Sequence, residues 1–141
     1  MKLATLRTGF GTSAIRIDGD NVGVELDYED VGQLLRSEDW RKAAQLSGEP
    51  VVFDHADLEA VVPAPGKVIC VGLNYAKHIR EMGREFPKHP TLFIKFAEAL
   101  TGPYDDVFIP EYGTQQLDYE GELAVIIGER AHHVSLSLIH I

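Results

Sequence analysis

Asp118, Glu120 and Glu122 stand at alternate positions and run directly into the apolar block Leu123, Ala124, Val125, Ile126 and Ile127. In an extended strand alternate side chains share a face, so the three carboxylates converge while Tyr119, Gly121 and Leu123 take the other side. An uninterrupted apolar run is the pattern of a strand covered on both faces. Carboxylates crowded at the mouth of such a region repel one another and lose hydration, a cost of several kcal/mol that protonation or a cation must offset. A hard divalent metal suits that role because it takes oxygen ligands. The competing reading is a strand whose first half leaves the sheet and carries its acids in water.

A second group lies upstream. His78 and Glu81 are three residues apart, which on a helix makes them neighbours. A carboxylate beside an imidazole fixes its tautomer and raises its basicity, as a general base requires. The alternative is a surface ion pair on an exposed turn. Lys95 sits inside the apolar run TLFIKF. It either snorkels out of a sheet or offers a cation to an anionic substrate.

These residues need elements to hold them. KVICVG, residues 67–72, reads as a buried strand ending at Gly72, and LNYAKHIREMG as a short helix closed by Gly83. GREFPKHP, residues 83–90, is a polar, proline-bearing loop of the kind that forms lids, and TLFIKF follows as a strand. Nearer the N-terminus KLATLRT, SAIRI and NVGVEL read as short strands, the last two joined in a hairpin by DGDN. Asp30 is placed to cap a helix carrying Val31, Leu34 and Leu35 on one face. Ser37 is placed to cap another through Trp40, Ala43 and Ala44, ended near Gly48. Gly9 and Gly11 do not make a dinucleotide loop, since no helix pattern follows and the third glycine is missing. The proline-bearing PAPGK, residues 63–67, marks a domain boundary.

At 141 residues and 45% hydrophobic the chain suits one ordinary domain or two small ones. Its 13 Lys and Arg against 22 Asp and Glu leave a net charge of −9, with no basic cluster. That excludes nucleic acid and anionic membrane as favoured partners. No apolar run is long enough to span a bilayer, and MKLATLRTGFG has no apolar signal core, so a cytoplasmic location is expected. Cys70 is the single cysteine, which excludes an internal disulfide and a cysteine-based zinc site; it reads as a small buried hydrophobe.

Taken in order, VICVGLNYAKHIREMG, PTLFIKFAEALTGPYDDVFIP and LDYEGELAVIIGERAHHVS resemble the fumarylacetoacetate hydrolase family. The glycine, Asn-Tyr, His-x-x-Glu, Phe-x-Lys and Glu-x-Glu elements stand in family order from about Pro65 to Ser135. The resemblance implies an α+β fold: a small N-terminal α+β domain over residues 1–64, then the first half of a mixed, mainly β catalytic domain over residues 65–135. It implies that Glu120 and Glu122 are two of three acidic ligands of Mg²⁺ or Mn²⁺. Asp118 is less firmly part of that pattern. His78 and Glu81 would be the catalytic pair on a lid helix, Asn74 and Tyr75 would bind substrate, and Lys95 would lie at the site wall in either role.

The chemistry implied is metal-dependent hydrolysis of a carbon–carbon bond in acylpyruvate-like 2-oxo or 1,3-dicarbonyl acids, with water activated by His78. The same scaffold implies, as alternatives, decarboxylation of oxaloacetate or isomerisation of unsaturated 2-oxo diacids. A non-catalytic metal-binding module is the alternative from another class. The parent protein is expected to be a homodimer acting on a small molecule. The family places its third acidic ligand beyond the Glu-x-Glu pair, and this chain does not contain it. Residues 136–141, LSLIHI, match the translation of a transposase adapter used in DNA library preparation. They are expected to be a non-native tail, with the chain truncated inside the catalytic domain and inactive as a fragment. Were the tail native, His140 would be a candidate ligand. His132 and His133 are adjacent, point to opposite sides of any strand, and read as surface residues.

Overall fold

A computed structural model describes residues 1–113 and 115–136 of the chain. The expected tail, beyond Leu136, and His140 within it lie outside the described residues.

The N-terminal segment is an antiparallel meander. β1 (Lys2–Thr8), β2 (Gly11–Ile17), β3 (Val22–Glu25) and β4 (Pro50–Val52) lie in that order in one sheet. Gly9 and Phe10 make the first hairpin turn, with Thr8 opposite Gly11 at φ +135°, a backbone that glycine adopts without steric cost. The glycines that fail as a dinucleotide loop therefore serve the hairpin, Gly9 in its turn and Gly11 at the first paired position of β2. The expected second hairpin forms through residues 18–21, with Ile17 opposite Gly23.

Between β3 and β4 the chain leaves the sheet for α1 (Val31–Leu35) and α2 (Trp40–Ala43). Asp30 caps α1 as expected, its carboxylate accepting the Gln33 N–H at 2.7 Å. Ser37 does not cap α2. Asp39 stands at that N-cap without a side-chain hydrogen bond, and the Ser37 carbonyl accepts the Trp40 N–H instead. One core cluster unites Ala14, Leu26, Val31, Leu34 and Ala44 between helices and sheet; the other joins Ala4, Leu6, Ile15 and Phe53 on the opposite face. Thr5 is fully buried between them, yet satisfied. Its hydroxyl donates to the Val61 carbonyl at 2.8 Å and accepts the Val31 N–H at 3.1 Å.

Beyond residues 63–67 a second sheet begins. β5 (Val68–Gly72) pairs antiparallel with β6 (Thr91–Lys95), and α3 (Ala76–Glu81) lies between them in sequence. The expected buried strand is only half covered: Ile69 is 58% exposed and Cys70 intermediate, because no further layer among the described residues packs on this two-stranded sheet. The larger correction is at residues 118–128, expected as a strand. They form no strand, and Leu123 is 82% and Val125 75% exposed. A strand requires a neighbour to take its N–H and C=O groups. None of the described strands pairs with this segment.

Several contacts tie the later chain to the N-terminal unit. Arg7 of β1 binds Asp105 through two hydrogen bonds at 2.7 and 2.5 Å and Glu59 through a third at 2.8 Å. His55 stacks on Tyr104, with ring centroids 5.7 Å apart. Trp40 lies against Gly128, where an added Cβ would come within 3.3 Å of the indole, and Arg41 over that indole pairs with Glu129.

Candidate functional site

Four of the predicted site residues, Asn74, Tyr75, His78 and Glu81, follow directly on the end of β5. Leu73, the residue after the strand, has φ +53°, a left-handed conformation that costs a residue with a side chain about 1–2 kcal/mol. Such outliers persist where the surroundings over-determine them, and they concentrate at functional sites. Here the outlier turns the chain sharply, so that Asn74 and Tyr75 leave the strand end and α3 starts at once. Tyr75 occupies the N-cap of α3, and its carbonyl accepts the Ile79 N–H at 3.1 Å.

Ile79 is the one buried residue of α3, and the helix's other residues are exposed. Its C-terminus is closed at Gly83, φ +64°, by Arg84 N–H to the Ile79 carbonyl and Gly83 N–H to the Arg80 carbonyl. This is the Schellman pattern. An open groove of about 250 Å³ runs between residues 71–74 and 87–90, with Asn74, Lys88 and His89 on its walls. The larger open groove, about 340 Å³, lies beside Thr8, Glu25 and Glu29 on the N-terminal unit and carries none of the predicted site residues. The smaller one is the relevant one, because it adjoins the strained turn.

The structure assembles the predicted residues only in part. His78 and Glu81 share α3, but the Glu81 carboxylate is paired with Lys77 at 3.7 Å and makes no contact with His78. The i,i+4 cation competes with the i,i+3 imidazole, and on an exposed helix it wins. Lys95 lies opposite Val68, at the other end of the ladder from Gly72 opposite Thr91. The four-residue offset separates it from the Asn74 end by roughly 13 Å along the strand. Glu120 and Glu122 are exposed in irregular chain and do not share a strand face. Beside Glu122, the Leu123 N–H donates to the Tyr75 hydroxyl at 2.8 Å.

Among the described residues no group of three or more His, Cys, Asp or Glu side chains is arranged to hold a metal. The two glutamates supply anionic oxygens without a third partner, so the residues present do not make a complete site for a hard divalent cation, which takes six or more oxygens. No helix is long and apolar enough to cross a membrane.

Comparison with known proteins supplies the frame for this arrangement. The profile described as fumarylacetoacetate (FAA) hydrolase C-terminal matches residues 67–138, half of the chain. The chain belongs to the fumarylacetoacetate hydrolase family. Within this family, the oxaloacetate tautomerase FAHD2A, mitochondrial, of Bos taurus is 49% identical over 75 residues, covering 53% of this chain and 24% of that protein. The human oxaloacetate tautomerase FAHD2B, mitochondrial, is 44% identical over 92 residues, covering 65% and 28%. The fumarylacetoacetate hydrolase domain-containing protein 2 homolog of Dictyostelium discoideum is 47% identical over 108 residues, covering 74% and 35%. The chain thus spans about a quarter to a third of the length of these relatives. Among solved structures, a protein assigned as HpcE from Mycobacterium smegmatis superposes with a TM-score of 0.62 at 27% identity, over 79% of this chain and 41% of that one.

Both the family and the α+β class expected from the sequence are those observed. The tautomerase relatives are enzymes by name, and their names place them in mitochondria, which the expectation of a cytoplasmic chain did not anticipate. Sequence reasoning missed the left-handed Leu73 and the Tyr75–Leu123 contact. The strand–Gly–x–Asn–Tyr–helix order signals a tight junction, but no spacing rule joins residues 48 positions apart.

Proposed function

We propose that this chain is part of a longer enzyme of the family, with residues 1–64 as a small N-terminal domain and residues 65–135 as the first half of the catalytic domain, whose chemistry runs through the enolate of a small 2-oxo acid. In the first reading the substrate is acylpyruvate-like. Water oxygen bonds to the distal carbonyl carbon, the carbon–carbon bond breaks, and its electron pair leaves on the pyruvate enolate, which then takes a proton at carbon. His78 removes the proton from water, Glu81 orients the ring, and Asn74 and Tyr75 hold the substrate at the groove edge.

What supports the reading is that His78, Glu81, Lys95, Glu120 and Glu122 all fall within the single matched segment, residues 67–138. Dependence on Mg²⁺ or Mn²⁺ is part of the proposal. Glu120 and Glu122 would be two of the ligands, with the others from outside the described residues. Homodimerisation of the longer protein belongs to it too.

A second reading, keto–enol interconversion or isomerisation of a 2-oxo diacid, is favoured by one contact. Glu81 lies 3.7 Å from the Lys77 ammonium rather than on the His78 ring, so among the described residues the imidazole stands without a carboxylate partner. Moving a proton at the activated carbon beside a ketone asks less of the base. The test is a longer family protein carrying this segment, assayed with an acylpyruvate and with oxaloacetate enol, with and without Mg²⁺. One substrate is expected to be consumed in a Mg²⁺-dependent manner, and Glu120→Gln or Glu122→Gln is expected to abolish that dependence. Consumption of neither above background overturns the proposal.

A further inference from the structure

The last rung of the β5–β6 ladder is Gly72 opposite Thr91. Beyond it the ladder cannot continue: Leu73, at φ +53°, turns one chain away, and Pro90 on the other has no N–H to give. The groove of about 250 Å³ opens between them, lined by Val71, Gly72, Leu73 and Asn74 on one side and residues 87–90 on the other. Its far wall is stiff. Pro87 and Pro90 fix the backbone φ on either side of Lys88 and His89. Phe86, just before that wall, lies under the Arg80 guanidinium, 5.2 Å from the ring centroid. This contact ties the wall to α3, the helix that carries His78.

The chemistry of the groove is one-sided. The chain has 22 Asp and Glu against 13 Lys and Arg, yet no carboxylate lines this groove, whereas an amide, an ammonium and an imidazole do, on Asn74, Lys88 and His89. Among the described residues none of those three side chains is engaged in a hydrogen bond or ion pair. Arg7, Arg16, Arg41, Lys42 and Lys77, by contrast, are each paired with an acid. Free donors on a stiff frame suit a small anion, and a carboxylate accepts from an ammonium through a charge-assisted hydrogen bond. The volume fits a molecule of a few carbon atoms, below the range of larger ligands.

We propose that Lys88 binds the carboxylate of the 2-oxo acid in this groove, with His89 and Asn74 as further donors. The proposal rests on the reading of the substrate as a small 2-oxo acid, and it adds to that reading two recognition residues on the loop over residues 83–90. The ammonium meets the end of the substrate that the reaction leaves unchanged, so it contributes to affinity and placement and takes no part in moving a proton.

Pyruvate, the smallest 2-oxo acid, is titrated into the 141-residue chain at constant ionic strength and followed by NMR. Saturable shifts are expected at the amides of Gly72, Leu73, Asn74, Lys88 and His89, while those of the β1–β2 hairpin stay in place and report an intact fold. Lys88→Gln is expected to weaken the apparent affinity about tenfold, the scale of one lost charge-assisted hydrogen bond. Lys67→Gln, which removes a charge at the opposite end of β5, is expected to leave it unchanged. No shifts at the groove, equal weakening by both variants, or shifts reproduced by the same concentration of chloride each overturn the proposal. In a longer, active family protein Lys88→Gln is expected to raise KM about tenfold for whichever 2-oxo acid is turned over, with kcat unchanged, as for lost uniform binding; an unchanged KM overturns the proposal as well. Turnover of neither acylpyruvate nor oxaloacetate enol by the longer protein overturns the reading of the reaction instead, and the pyruvate titration still decides whether the groove takes a carboxylate.

Discussion

His78 is the residue on which the two readings of the chemistry part. It is exposed on α3, and the neighbouring carboxylate that would make it a stronger base is turned toward Lys77. Exposed i,i+4 pairs are worth only a few tenths of a kcal/mol, so a bound anion or a shift of the helix is enough to release Glu81 toward the imidazole. In a longer, active family protein His78→Ala is expected to lower turnover by about 10² or more while leaving Mn²⁺ affinity nearly unchanged, as for a lost general base. Lys77→Ala is the informative companion. If hydrolysis needs the freed Glu81, this variant keeps or raises acylpyruvate cleavage, whereas Glu81→Gln lowers it. Steady-state kinetics on both substrates reads the difference, and identical kinetics in all three variants would remove α3 from the mechanism.

Among the elements, the turn over residues 101–106 depends most on contacts made at long range. Gly102 has no room for a side chain: an added Cβ would stand 2.5 Å from the Leu58 carbonyl oxygen and 2.9 Å from both Arg7 Nη2 and Asp105 Oδ2. Its N–H donates to Asp105 at 2.7 Å, and Asp105 is clasped by Arg7. All three close atoms belong to backbone or to the Arg7–Asp105 ion pair, so Gly102→Ala is expected to undock the turn and lower the melting temperature by several degrees. The same clasp has a pH dependence of definite sign. Arg7, and then the Gly102 N–H, hold the Asp105 carboxyl below its ordinary value; Arg7, and then the Ala60 N–H, do the same for Glu59. Groups with depressed folded pKa values contribute stability that is present above their unfolded values, near pH 4, and lost as pH falls through the lower folded ones. Thermal melts from pH 7 to pH 3 are expected to lose stability mainly below pH 4, and less steeply in Arg7→Ala, where the contribution is already gone.

For the whole molecule, the uneven distribution of apolar surface is decisive. The N-terminal sheet and its two helices bury their apolar residues in two clusters, whereas Phe108 is 93%, Leu123 82% and Ile127 69% exposed in the later chain. Exposed large apolar side chains in such number favour association, and uncovered strand edges add to it. Sedimentation velocity of the 141-residue chain is expected to show concentration-dependent association at micromolar levels, reduced in Leu123→Asp/Val125→Asp. A monodisperse monomer that binds Mg²⁺ tightly and turns over a 2-oxo acid would show instead that the chain is self-sufficient.

How much was legible in the sequence depended on the range of the interaction that decided each feature. Strands β1 to β3, the Asp30 cap, the Gly83 stop and the presence of strands at Val68–Gly72 and Thr91–Lys95 follow from alternation, capping chemistry and turn residues, all of which act within a few positions. The family segment was legible as well, because its motifs stand close together in order. What the sequence could not decide was anything set by competition or by distant partners. Whether Glu81 faces His78 or Lys77 is a contest between two weak contacts of similar reach. Whether residues 118–128 form a strand depends on a neighbour to accept their backbone hydrogen bonds, and alternation describes only what a strand would display once such a neighbour exists. The Arg7–Asp105 clasp and the Tyr75–Leu123 tether join residues 98 and 48 positions apart. Nothing local encodes them, and only the packed chain brings those atoms within reach.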